Sequence, residues 1–235
     1  PTSGRADEPF SNSTSKTYCP RCHRISDSGY EFCSQDGHRL LTIDSSHGER
    51  VGEVIDDRLT LLGLVGSGGM GTVYRAFQHS MERQVAVKLM HRTFFDAERL
   101  VDRFLLEARS ASRLAHPNII TTFDFGKTKD GELYLVMELL RGRTLKQLID
   151  EEGPLELQRA LNILYQVCDA IHSAHEAEVI HRDLKPENIF IIDGAGAYGE
   201  FVKVIDFGLA KLLDPQSTDT PSGRRGSMNG TPAYM

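Results

Sequence analysis

The segment "VIHRDLKPENIF" constrains the fold more than any other stretch. It gathers His181, Arg182, Asp183, Lys185 and Asn188 into eight residues, yet opens on the apolar pair "VI" and closes on "IF". A charged surface loop has no use for such flanks, whereas buried apolar ends would fix the loop and aim its side chains. Pro186 blocks a helical continuation. Twenty-three residues past Asp183, "VIDFGLA" delivers Asp206 at the end of an apolar strand, followed by Phe207 and a glycine. An Asp on a rigid loop, an Asn five residues later and a second Asp at a strand end suit phosphoryl transfer. That reaction asks the protein for positioning and charge neutralisation more than for covalent work. Oxygen ligands from Asn188 and Asp206 suit Mg²⁺, which keeps several waters and bridges phosphates.

Near the other end, "GSGGMG" places glycines at Gly66, Gly68 and Gly71, with Ser67, Gly69 and Met70 between them. In a dinucleotide-binding turn the last glycine would open a helix. Here "TVYRAF" follows, alternating in period two with β-branched residues, so the glycines join two strands. Such a hairpin can fold over a triphosphate with its backbone N–H groups as donors; an ordinary glycine-rich hairpin is the plainer reading. "VAVK" then puts Lys88 on the next strand, and Glu107 comes nineteen residues later on an amphipathic helix. A carboxylate facing inward among apolar neighbours needs a cation, and Lys88 is its expected partner.

The 235 residues carry a formal net charge of −6, with no basic stripe to suggest nucleic acid. The longest apolar run, "LYLVMELL", is interrupted by Glu138 and is too short to span a bilayer. The chain opens on proline without a signal peptide and closes on "GTPAYM", so both ends are expected to continue. The reading is cytoplasmic, with a membrane anchor outside this stretch left open. Residues 1–17 are polar and expected to be disordered. Residues 18–41 form a cysteine knot, 42–57 a linker, 58–140 a β-rich half, and 141–235 a mainly helical half. Helices are expected over "DAERLVDRFLLEARSASRLA", over "TLKQLIDEE" capped by Thr144, and over "GPLELQRALNILYQVCDAIHSAHEA" with Pro154 near its first turn. The last should bury Leu157, Leu161, Leu164, Val167, Cys168 and Ile171.

"GSGGMGTVYRA", "VAVK", "HRDLKPEN", "DFG" and "GTPAYM" together resemble the bacterial branch of the eukaryotic-type serine/threonine protein kinases, from about residue 58 onward. The resemblance implies an α+β, bilobal fold: an antiparallel β lobe with one helix, then a mainly helical lobe, incomplete here. It implies ATP and Mg²⁺ as cofactors and protein Ser/Thr hydroxyls as substrates, with self-association for phosphorylation in trans. Lys88 would contact the α- and β-phosphates and pair with Glu107. Asp183 would orient the substrate hydroxyl, Lys185 would neutralise the transferring phosphoryl group, and Asn188 and Asp206 would hold the metal. Adenine would lie against Val73, Ala86 and Phe190, with Met137 behind it and Glu138 to Leu140 as the hinge. His181 and Phe207 belong to packing. The turn "IIDGAGAYGEFV" is longer than the family needs. Arg182 before the catalytic Asp implies control by phosphorylation of the following loop, with Ser227 the first candidate and Thr220 and Ser222 behind it. Thr231 would present the substrate. The rival reading is a pseudokinase or scaffold, or an inactive nucleotide-binding fragment.

Cys19, Cys22 and Cys33 are spaced C-x2-C-x10-C, which resembles a zinc ribbon rather than a disulfide framework. Where a fourth cysteine would stand the chain has Asp36, with His38 two residues on. His is in general the better zinc ligand, Asp36 is in register, and both remain candidates. A ribbon that holds without metal is the alternative. Nucleic-acid binding through the ribbon is disfavoured by its mixed charge.

Overall fold

The computed structural model describes residues 16–27, 30–44, 48–91, 98–192 and 200–207. Most of the expected disordered N-terminus, the 193–199 part of the long turn, and Thr220, Ser222, Ser227 and Thr231 lie outside the described residues. The chain divides into two units, residues 1–65 with 74–84 and residues 66–73 with 85–235.

The first unit begins with a three-stranded antiparallel sheet of β1 (Lys16–Tyr18), β2 (Ile25–Asp27) and β3 (Leu41–Ile43), with β1 in the centre. The stretch read as a linker is hydrogen-bonded to its neighbour over its described part. There β4 (Val54–Ile55) pairs with β5 (Leu59–Gly68), Gly52 N–H donates to Leu61 O at 2.8 Å, and Leu61 N–H donates to Glu53 O at 2.9 Å. Leu59 through Gly63 are buried without a break, where a strand covered on one face would alternate. The second face is covered from the N-terminal sheet: Tyr18 and Ile43 form one core with Leu62 and Phe77.

The larger antiparallel sheet adds β6 (Gly71–Gln78), β7 (Arg83–Met90), β8 (Thr122–Lys127) and β9 (Leu133–Met137), in the order β4-β5-β6-β7-β9-β8. Strand β8 lies at the edge because β9 pairs with β7 on its other side, and the turn joining β8 to β9 has Gly131 at φ 86°. In the second unit, helix α1 (Glu98–Ala111) buries Phe104 and Ala108 against Ala86, Met90, Leu133, Leu135 and Met137.

Next, β10 (Gly142–Thr144), β11 (Ile189–Ile192) and β12 (Phe201–Val204) form a small antiparallel sheet. Helix α2 (Leu145–Glu152) starts at Thr144, whose hydroxyl accepts from Gln147 N–H while the Gln147 side chain accepts from Thr144 N–H. Helix α3 (Leu157–Glu176) differs from expectation at its start and on its face. Pro154 lies before it, and the Glu156 carboxylate caps it by accepting from Gln158 and Arg159 N–H. The buried stripe is Ile163, Val167, Ala170 and Ala174, so Leu157, Leu161, Leu164 and Cys168 are exposed. Helix α3 carries two apolar stripes, and the one holding Ile163, Val167, Ala170 and Ala174 shares a core with Ile189 and Ile191 of β11 and Val202 and Val204 of β12.

Gly71 sits where a Cβ would lie 2.3 Å from the Leu89 carbonyl oxygen, a backbone atom that cannot move aside alone. Gly66, Gly68 and Gly69 would meet nothing within 4 Å. Gly71→Ala is therefore expected to lower unfolding free energy by about 1–3 kcal/mol, and Gly68→Ala to stay within about 0.5 kcal/mol of wild type. Denaturant unfolding of both variants checks this, and equal effects would remove the argument.

Candidate active site

Within the second unit the glycine loop, β7, the loop before β11 and the end of β12 enclose a cleft of ≈ 620 Å³. Gly66 to Gly71 and Val73 line one wall, and Lys88, Asp183, Lys185, Glu187, Asn188 and Asp206 line the rest. The loop before β11 is pinned by His181, which is 3% exposed. Its Nε2 donates to Ile205 O at 2.9 Å and its Nδ1 accepts from Asp183 N–H at 3.3 Å. One neutral tautomer serves both bonds, so Asp183 and Asp206 are held in register through a single ring. Phe207 packs on the same imidazole at 4.6 Å between ring centres. Asn188 donates from Nδ2 to Asp183 O at 2.8 Å and Asp183 Oδ2 at 3.2 Å, leaving its amide oxygen as the end suited to a cation.

Arg182 and Asp206 adopt left-handed backbone at φ 65° and 59°, conformations that non-glycine residues hold only under tertiary constraint. The charges pair differently from the sequence reading. Lys88, 7% exposed at its side chain, meets Asp206 Oδ1 at 2.7 Å, and Glu107 is met by Arg182 at 3.4 Å. Each half-buried carboxylate still has a cation, so the electrostatic requirement is satisfied with the partners exchanged. Lys185 reaches Asp183 Oδ2 at 2.7 Å.

The residues expected around adenine lie beside the cleft rather than among its lining residues, Val73 excepted. Ala86 and Met137 face each other across β7 and β9 and are buried. Glu138 accepts from Thr121 N–H at 2.7 Å and from Lys203 Nζ at 2.5 Å, and its own N–H donates to Thr121 O. Leu140 is half-buried, and half-buried Phe190 lies on β11 opposite Lys203. Sequence reasoning missed Lys203 and Glu187. Glu187 was within reach, since it stands between Lys185 and Asn188, and its buried Oε2 lacks a hydrogen-bond partner among the described residues.

A magnesium nucleotide fits these residues. The oxygen donors cluster beside two ammonium groups, Glu187 offers an oxygen with no partner among the described residues, and the loop glycines line the same cleft with open space around them.

The protein kinase domain model matches residues 59–235. The chain belongs to the protein kinase family. It is 44% identical over 187 residues to the serine/threonine-protein kinase pkn3 of Myxococcus xanthus, covering 80% of this chain and 34% of that protein. It is 39% identical over 179 residues to PrkC of Bacillus subtilis, covering 76% and 27%. The chain thus spans about a third of the length of these relatives. The crystal structure of the Mycobacterium tuberculosis PknI kinase domain superposes with a TM-score of 0.62 at 26% identity, covering 69% of this chain and 64% of that one. The kinase fold of this chain is the bacterial serine/threonine type, and the family implies ATP and Mg²⁺.

Outside the kinase cleft, the first unit brings Cys19, Cys22, Cys33 and Asp36 together, with one ligand atom from each within 4.8 Å of all the others. The other candidate, His38, is exposed and outside this cluster. The His38 N–H holds the Asp36 carboxyl down at about 2. Among the described residues no helix is long and apolar enough to cross a membrane.

Burial is the largest influence on His181 and pushes its pKa below the ordinary value, against the Ile205 hydrogen bond and the charges of Asp206 and Asp183. The unfolded imidazole, with a pKa of about 6.5, takes up its proton first as pH falls. Stability from the neutral ring is then complete above that value and lost progressively below it. Thermal unfolding between about pH 7.5 and 5 should fall more steeply for wild type than for His181→Gln. Identical slopes would exclude the imidazole as the titrating group.

Proposed function

We propose that the protein transfers the ATP γ-phosphate to serine or threonine hydroxyls of other proteins. The observation that carries this reading is the convergence of Lys88, Asp183, Lys185, Asn188 and Asp206 on one cleft roofed by the glycine loop. Bound magnesium nucleotide would supply the activated phosphoryl group. Asn188 and Asp206 would present oxygens to the metal, and the loop N–H groups would hold the phosphates. Asp183, fixed by Asn188 and His181, would take the proton of the incoming hydroxyl. Lys185, beside Asp183, would offset charge on the transferring group. Lys88 would hold the α- and β-phosphates, exchanging its Asp206 contact for phosphate oxygens.

Phosphorylation of Ser227, Thr220 or Ser222 is the proposed regulatory input, with Arg182 the cation that would receive the phosphate. Self-association would allow that step in trans, and Thr231 would present the substrate. The unpaired thiols suit a reducing, cytoplasmic setting. Their cluster is proposed to hold zinc in a ribbon comprising residues 18–41.

Phosphate transfer from labelled ATP to a serine-containing protein, measured with the full-length protein, tests the reading. Asp183→Asn should lower kcat by about 10²–10⁴-fold, with a smaller change in KM for ATP, and Lys88→Met should abolish most transfer. Equal signals from wild type and both variants would leave a scaffold or pseudokinase.

A further inference from the structure

We propose that Cys19, Cys22, Cys33 and Asp36 form a Cys₃Asp site for a single zinc ion, and that this ion fastens strands β1–β3 to the first hairpin of the catalytic sheet. The proposal rests on the zinc reading of the cluster and adds the fourth ligand and the consequence of binding.

The fourth ligand follows from a repeated backbone turn. In the first knuckle Cys19 and Cys22 are three residues apart, His23 follows at φ 60°, and its N–H donates to Cys19 O at 2.9 Å. Cys19 N–H in turn donates to Arg24 O at 2.9 Å. In the second knuckle Cys33 and Asp36 are three apart, Gly37 follows at φ 71°, and its N–H donates to Cys33 O at 2.9 Å. Cys33 N–H donates to His38 O at 2.8 Å, closing the same turn. Asp36 therefore occupies the place of Cys22, whereas His38 occupies that of Arg24.

Two of the donor spacings match those of a filled site, and the four ligand atoms all lie within 4.8 Å of one another. Tetrahedral zinc with Zn–S bonds of about 2.3 Å sets sulfur atoms about 3.8 Å apart, and a sulfur and an oxygen ligand about 3.5 Å apart. Cys22 Sγ and Cys33 Sγ are separated by 3.7 Å, and Cys19 Sγ lies 3.4 Å from Asp36 Oδ2. His38 N–H donates to Asp36 Oδ1 at 2.9 Å, orienting the carboxylate as an outer partner does for a metal ligand.

The consequence follows from the neighbours of the ligands. Tyr18, next to Cys19, is 1% exposed and packs on Leu62 and Phe77, with its ring 5.6 Å from that of Phe77. Its hydroxyl bonds His23 Nδ1 at 2.6 Å and His79 Nε2 at 3.2 Å. His23, next to Cys22, stacks on His79 at 4.3 Å, and Thr60 Oγ1 bonds His79 Nε2 at 2.8 Å. An ion on Cys19 and Cys22 fixes the backbone of the two side chains that grip β5, β6 and the turn after them. A module merely tethered to the catalytic sheet would close its own core; this one shares Leu62 and Phe77 with it.

The test uses the full-length protein, zinc-loaded and chelator-stripped. Competitive titration should find one zinc per chain, weakened at least about tenfold by Asp36→Ala and unchanged by His38→Ala. Hydrogen exchange of amides 59–62 and 74–78 should accelerate at least about tenfold on stripping, and likewise in Asp36→Ala, while amides 133–137 keep their rates. Zinc content well below one per chain would overturn the metal reading itself. Zinc retained by Asp36→Ala but lost by His38→Ala would overturn the ligand assignment. Zinc that needs Asp36 yet leaves β5 and β6 exchange unaltered would overturn the fastening.

Discussion

The loop from His181 to Asn188 depends on a neutral imidazole. His181 has one donor and one acceptor nitrogen only while uncharged, and both are committed, to Ile205 O and to Asp183 N–H. Burial enforces the neutral form, so the ring spans the loop and the strand end as a rigid brace. Asp183 and Asp206 are 23 residues apart in the chain, and this brace keeps them on one cleft. The left-handed backbone at Arg182 and Asp206 is sustained by the same packing, because each flanks a segment the imidazole ties down.

The charges around this brace show how a requirement can be legible when its solution is not. Glu107 on α1 needed a cation, and the sequence offered Lys88. Lys88 instead meets Asp206, whose left-handed backbone turns its carboxylate toward β7, and Glu107 takes Arg182. Sequence identifies which groups are too costly to bury alone; it does not rank partners distant in the chain. Oxygen and ammonium groups were legible at the cleft because the chemistry of phosphates restricts residue type. The placement of Ala86, Met137 and Phe190 beside it was a matter of packing.

Helix α3 shows the same limit in apolar form. Its sequence carries enough leucine for two stripes, and periodicity favours the bulkier one. The structure buries Ile163, Val167, Ala170 and Ala174 in one core with β11 and β12, a choice made by tertiary packing that helical periodicity alone does not make. Cys168 follows the leucines to the exposed side. By contrast, α2 and its Thr144 cap were legible, since a capping box is a local pattern whose partners are three residues apart.

The ribbon sharpens the distinction between what a side chain prefers and where the backbone puts it. Ranked as isolated ligands, His38 outranks Asp36. The knuckle reverses that order, because its left-handed fifth residue and paired N–H groups fix which α-carbon faces the other turn. Asp36 inherits the position of a cysteine, and its shorter side chain reaches Cys19 while His38 points elsewhere. A carboxylate in a thiolate position is a weaker, more exchangeable zinc ligand than a fourth thiolate. The buried contacts of Tyr18 with Leu62 and Phe77 then matter twice. They help to hold β1 in place whatever occupies the site, and they give the ion mechanical purchase on the catalytic sheet.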